Sequence, residues 1–127
     1  VCGSFSLLNE PKPSGVCSHC SGKTGLAGPL WLGRVQDGPA INNALRTSNL
    51  SRRAEKILTS CAGEIDAPMY YDHHSICERL SLTPDRIDLI LERLSSRGFQ
   101  ASRTHFYGLG IKTDANMEDV EEAIRKS

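Results

Sequence analysis

The stretch TPDRIDLILERLSSRGFQASRTHFYGLGIKT, residues 83–113, changes its hydrophobic period once, at Gly98. Before Gly98, Ile87, Ile90, Leu91 and Leu94 recur at helical spacing. Thr83 is the expected cap of that helix, Pro84 its first residue and Gly98 its stop. After Gly98, Phe99, Ala101, Arg103 and His105 alternate with Gln100, Ser102, Thr104 and Phe106, which predicts a strand. Tyr107-Gly108-Leu109-Gly110 supplies a turn and Ile111-Lys112-Thr113 a return strand. Upstream, Asp72 is placed to cap a helix running through Leu80, with Ile76, Cys77 and Leu80 inward, and Ser81-Leu82 joins the two helices tightly. Leu50, Ala54, Ile57, Leu58, Cys61 and Ile65 predict a further helix capped by Ser51, and Pro39 to Arg46 a short one. A final helix from Asn116 to Lys126 carries acids in its first turn and Arg125 and Lys126 in its last, matching the helix dipole. Three helices followed by a hairpin is the winged-helix order. The expected class is α+β, with residues 36–127 forming a winged-helix-like domain that ends in a helix.

The 127 residues suffice for one domain with a small appendage. Hydrophobic and charged fractions of 39% and 24% are those of an ordinary globular protein, and 6% aromatic residues leave the core mainly aliphatic. A net charge of zero argues against strong nonspecific binding of nucleic acid by the chain as a whole. The charges are unevenly placed, however. Arg86, Arg93, Arg97, Arg103 and Lys112 face only Asp88 and Glu92 between positions 86 and 112, whereas Asp114, Glu118, Asp119, Glu121 and Glu122 follow without a base. A local basic surface beside an acidic helix is therefore possible. No apolar run approaches a membrane span and no signal-peptide pattern is present, so no membrane partner is expected.

Residues 1–26 contain Gly3, Pro11, Pro13, Gly15, Gly22 and Gly25, breaker-rich material that needs a staple to become ordered. Cys17-Ser18-His19-Cys20 has the knuckle spacing of a structural zinc site. Cys2-Gly3 resembles the second half of another such pair, whose first cysteine would precede Val1, so the chain is expected to be part of a longer protein. The expected ligands are Cys2, Cys17 and Cys20, with His19 as a fallback, and a closed site of this kind is structural. The alternative is a set of free thiols in a loop. Cys61 and Cys77 fall on apolar helix stripes and are expected in the core. Five cysteines including a Cys-x-x-Cys pair favour metal binding in a reducing, cytoplasmic setting over disulfides. Residues 27–35 read as a short strand that completes a 1–35 zinc-ribbon-like unit, with Trp31 anchoring its core.

The hairpin carries the other candidate chemistry. Arg103 can grip phosphate through its planar fork, Ser102 and Thr104 can reach phosphate or a 2′-hydroxyl, and His105, Phe106 or Tyr107 can stack on an exposed base. Lys112 adds a second positive point on the return strand. The alternative is an amphipathic hairpin whose Phe106 is core. Tyr70-Tyr71-Asp72-His73-His74 reads as tyrosines packing at a helix start and an aspartate capping it, since adjacent histidines do not point the same way on a helix. No nucleophile–base arrangement and no phosphate-binding loop is recognisable, so no catalytic residue is assigned.

Taken in order, Cys-x-x-Cys, Ala27-Gly28-Pro29-Leu30-Trp31, Tyr70-Tyr71-Asp72, Ala101-Ser102-Arg103-Thr104-His105-Phe106 and Gly110-Ile111-Lys112-Thr113-Asp114-Ala115 resemble the C-terminal part of the tRNA (guanine-N2)-dimethyltransferases. These enzymes methylate a guanosine amine, usually at tRNA position 26, with S-adenosylmethionine bound in an N-terminal domain. The resemblance implies a tRNA-binding, zinc-bearing domain that positions tRNA for that N-terminal domain and is inactive alone. It also implies that Arg103, Thr104, His105, Phe106, Lys112 and Thr113 face RNA or the catalytic domain. A zinc-containing winged-helix DNA-binding regulator is the competing reading. It would set the Thr83–Arg97 helix in a major groove, where Asp85, Asp88 and Glu92 would meet phosphates.

Overall fold

A computed structural model describes residues 2–7 and 15–125. Pro11, Pro13 and Lys126, each given a part in the sequence reading, lie outside them. Eight elements follow one another: α1 (Gly38–Thr47), α2 (Arg52–Ala62), β1 (Tyr71–Asp72), α3 (His73–Leu80), α4 (Ile87–Ser96), β2 (Ala101–Arg103), β3 (Gly110–Thr113) and α5 (Met117–Arg125). The strands form one antiparallel sheet of order β1-β3-β2, with Tyr71 opposite Ile111 and Ser102 opposite Lys112. β3 is central and buried along its whole length.

The core lies between this sheet, α3, α4 and α5. Ile76, Cys77, Ile90, Leu94, Ile111, Val120 and Ala123 are all but inaccessible. Their spacing on α3, α4 and α5 gives each helix one apolar stripe, and the stripes close on one another. Arg93 and Arg97 reinforce the α4–α5 contact. Arg93 Nη1 donates to the Ala123 carbonyl at 3.0 Å, and Arg97 reaches the Asp119 carbonyl, the Asp119 carboxylate and Glu122.

Capping explains most of the boundaries. Asp37, Ser51, Asp72 and Asn116 accept hydrogen bonds from the backbone of Ala40, Ala54, Ser75 and Asp119. α3 ends on Ser81 in the left-handed conformation, and Leu82 N–H donates back to the Cys77 carbonyl at 2.9 Å. The expected start of α4 at Thr83 is too early. Arg86 is still extended, with no side-chain cap. Leu82 tucks against the core after the left-handed turn, and Asp85 is held by Arg93 at 3.0 Å. The chain therefore needs Leu82–Arg86 to reverse direction before Ile87 reaches the core. Gly98 ends α4 region with φ +91, as a residue beyond a helix C-cap should.

Two expectations for the N-terminal third need correction. No strand forms over 27–35, and Trp31 is 74% exposed instead of anchoring a core. A strand needs a partner edge, and among the described residues none pairs with this segment. The segment bends at Pro29 and Gly33 with Leu30, Trp31 and Leu32 outward, and is tied to the body where Val35 N–H donates to Asp66 Oδ1 at 2.8 Å. α1 and α2 pack on each other, yet neither contributes a fully buried side chain.

Stability should therefore concentrate in the sheet and α3–α5. Leu94→Ala is expected to cost about 2–5 kcal/mol by chemical denaturation. Ile57→Ala on α2, whose side chain is partly exposed, should stay within about 0.5 kcal/mol of the unsubstituted protein.

Candidate functional site

Two chemically notable regions emerge. In the first, Val16 and Lys23 bridge across a tight hairpin, Ser21 N–H donates to the Cys17 carbonyl at 2.9 Å, and Cys17 N–H donates to the Gly22 carbonyl at 2.8 Å. The turn brings Cys17 and Cys20 together and Cys2 joins them, all ligand atoms lying within 4.8 Å of one another. Cys2 Sγ and Cys17 Sγ are 3.7 Å apart. Two thiolates on a tetrahedral ion with Zn–S bonds of about 2.3 Å would sit about 3.8 Å apart, so the donor set fits zinc. Backbone N–H groups of Cys20 and His19 lower the Cys17 thiol to about 7, favouring the ligating thiolate, while burial raises Cys2. His19 is not among the clustered donors. Its Nε2 lies 2.7 Å from Glu121 Oε1, and the same carboxylate receives Arg79 and Arg125. The fallback ligand instead ties the knuckle to α5. Phe5, stacked on Tyr71 at 5.1 Å, makes a second tie.

The second region is the hairpin. Its sequence alternation separates two roles cleanly. Ser102 and Thr104 face inward, whereas Arg103 and His105 face outward. Ser102 Oγ accepts from Ile65 N–H at 3.0 Å. The Thr104 hydroxyl donates to the Tyr107 carbonyl and accepts from Tyr107 N–H at 3.1 Å. Thr113 Oγ1 accepts from Ala115 N–H at 3.1 Å. Lys112 is buried, and its Nζ lies 2.6 Å from Glu64 Oε1. The other Glu64 oxygen takes both the His105 N–H and its Nδ1, each at 2.8 Å. Of the residues expected to face RNA, Thr104, Lys112 and Thr113 are thus turned inward and bonded within the chain. Arg103, His105 and Phe106 remain accessible, and Arg103 meets the exposed Asp88 at 2.8 Å.

Glu64 organises this region and was not foreseen. It follows the Gly63 cap of α2, outside any periodic pattern, and its partners lie far along the chain. Burial raises its carboxyl, but Lys112 and His105 outweigh that and hold it below the ordinary carboxylate range. The expected basic surface is largely neutralised, because Arg93, Arg97, Arg103 and Lys112 all meet acids. Arg93 and Arg97 turn toward α5, which leaves α4 a poor helix for a major groove.

The family model for N2,N2-dimethylguanosine tRNA methyltransferase matches residues 4–125. The chain is 39% identical over 114 residues to a protein of Methanosarcina barkeri named tRNA (guanine(26)-N(2))-dimethyltransferase, covering 86% of this chain. It is also 39% identical over 113 residues to the protein of the same name from Methanosarcina mazei. The chain spans 29% of the length of each. Among solved structures, Trm1 from Pyrococcus horikoshii with S-adenosyl-L-methionine matches 78% of this chain and 28% of its own, at a TM-score of 0.71 and 35% identity.

Removing either partner of the buried pair should unfold the hairpin. Lys112→Met or Glu64→Gln alone is expected to cost about 3–5 kcal/mol, since each leaves the other group buried without its partner. The double variant should cost clearly less than the sum of the two. Because the Glu64 pKa is depressed in the folded state, its contribution is complete above the ordinary carboxylate range. It is lost as pH falls through the depressed value, so acid melts of Glu64→Gln should be flatter in that window.

Proposed function

The chain belongs to the N2,N2-dimethylguanosine tRNA methyltransferase family, and from this we propose that it is the tRNA-binding, zinc-bearing part of a tRNA (guanine26-N2)-dimethyltransferase. Residues 1–35 are read as the metal knuckle and 36–127 as the unit that holds tRNA. The succession α2, β1, α3, α4, β2, β3 with sheet order β1-β3-β2 supports a winged-helix-like reading of the latter, the β2–β3 hairpin being the wing. S-adenosylmethionine, bound elsewhere in the protein, supplies the methyl group when present. The residues of this chain hold the tRNA body so that the target guanine, extruded from its stack, lies over the donor pocket.

The observation that carries this reading is the division of the hairpin. Lys112, and the N–H and Nδ1 of His105, are locked to the body through Glu64, and on that fixed support Arg103, Phe106 and the exposed part of His105 face outward. Cys2, Cys17 and Cys20 would hold zinc with one further ligand, and the ion would order the knuckle without entering the chemistry. Reduced thiols suit a cytoplasmic enzyme.

Titrating tRNA onto the protein tests the reading directly. Arg103→Ala removes an exposed side chain, so it should fold normally, weaken tRNA binding and reduce the log–log salt slope by about 0.7–0.9. Unchanged affinity and slope would place the hairpin against another protein domain instead. Metal analysis should return one zinc per chain, lost in Cys17→Ser; a chain purified with none would remove the zinc assignment.

A further inference from the structure

Phe106 is 57% exposed and Tyr70 43% exposed, and their rings meet edge to face with centroids 5.3 Å apart. His105 meets Phe106 the same way at 5.1 Å, and Tyr107 meets Tyr70 at 6.2 Å. These four rings come together from the residue before β1 and from the β2–β3 turn. The backbone around Phe106 is fixed on both sides. His105 is bonded to Glu64 through its N–H and Nδ1, and Tyr107 is bonded through N–H and carbonyl to Thr104 and through its hydroxyl to Asp72 Oδ2 at 3.0 Å. The fold thus leaves two aromatic side chains in contact with water beside a fixed backbone, forgoing the stabilisation that burial would give them.

We propose that Tyr70 and Phe106 form a stacking platform for an unpaired nucleobase of the RNA, with Arg103 as the neighbouring phosphate contact. This rests on the tRNA reading above and specifies which part of the RNA the hairpin takes. Aromatic faces accept any splayed base, whereas the bases of an intact duplex offer no free face. Arg103, the last residue of β2, and Phe106, in the turn that follows, are both exposed. The Arg103–Asp88 pair is about half exposed on both sides, so its net contribution is small and a phosphate can replace Asp88. Tyr70 also borders a hollow of about 290 Å³ that it lines with Cys2, Tyr71, Asp72, Ser75 and Met117, so it stands between the hairpin turn and the cysteine cluster.

The test uses the protein with three probes: tRNA, a single-stranded oligoribonucleotide carrying 2-aminopurine, and the same strand in a duplex. The single strand should bind with quenching of the 2-aminopurine, and the duplex should bind more weakly and without quenching. Phe106→Leu and Tyr70→Leu should each weaken single-strand and tRNA binding about tenfold and abolish the quenching, whereas Phe106→Tyr should restore it. Matching thermal melts establish that the variants fold, which their exposure favours. If both leucine variants bind tRNA like the unsubstituted protein while Arg103→Ala does not, the platform is overturned and the tRNA reading stands; the aromatic cluster is then a protein contact. If the unsubstituted protein binds no RNA, both readings fall.

Discussion

A carboxylate with no exposed side-chain surface holds the hairpin to the rest of the chain. Glu64 is reached by an ammonium, an imidazole and a backbone N–H, from β3 and from the turn that follows β2. Neither the ammonium nor the carboxylate would be tolerable alone in that position. An unpaired buried lysine or glutamate would lose its charge or leave the interior, and each is kept there by the other. Ser102, bonded to the residue after Glu64, extends the same contact. The inner side of the hairpin therefore stabilises the fold, while the outer side of the same few residues remains available to a ligand.

That double use explains what the sequence made legible and what it did not. Helices α3 and α5 were readable because their caps and stripes are local: Asp72 and Asn116 start them, and Ile76, Cys77, Val120 and Ala123 fill their buried faces. The hairpin was readable from its period of two. The inward placement of Lys112, Thr104 and Thr113 was not. A lysine on a strand looks the same in sequence whether it meets solvent or a buried carboxylate, and Glu64 lies in a loop remote from it in the chain. β1 escaped notice because two residues have no periodicity. Residues 27–35 misled in the opposite direction. Their apolar content suggests a strand, but strand formation depends on a neighbour that the local sequence does not reveal.

Cohesion is uneven along the molecule. The sheet and α3–α5 share one apolar interior, whereas α1 and α2 mainly pack on each other and the 27–35 segment is tethered by few polar contacts. Local opening should follow this gradient, with amides of α4 and β3 exchanging last. Such an arrangement suits a rigid presentation of the β2–β3 turn, since the part that must be fixed is the part that is best packed.

Glu121 has a wider meaning than its contacts suggest. One carboxylate on α5 receives His19 from the cysteine turn, Arg79 from the end of α3 and Arg125 from its own helix. His19, one of the two residues between the paired cysteines, is thereby joined to a position about a hundred residues later. In a set of related sequences, positions 19, 79 and 121 should accordingly vary together: an acid lost at 121 would remove the reason for a histidine at 19, even where both cysteines beside it are retained. The spacer of the motif, often regarded as interchangeable filler, here records how the knuckle is oriented on the body.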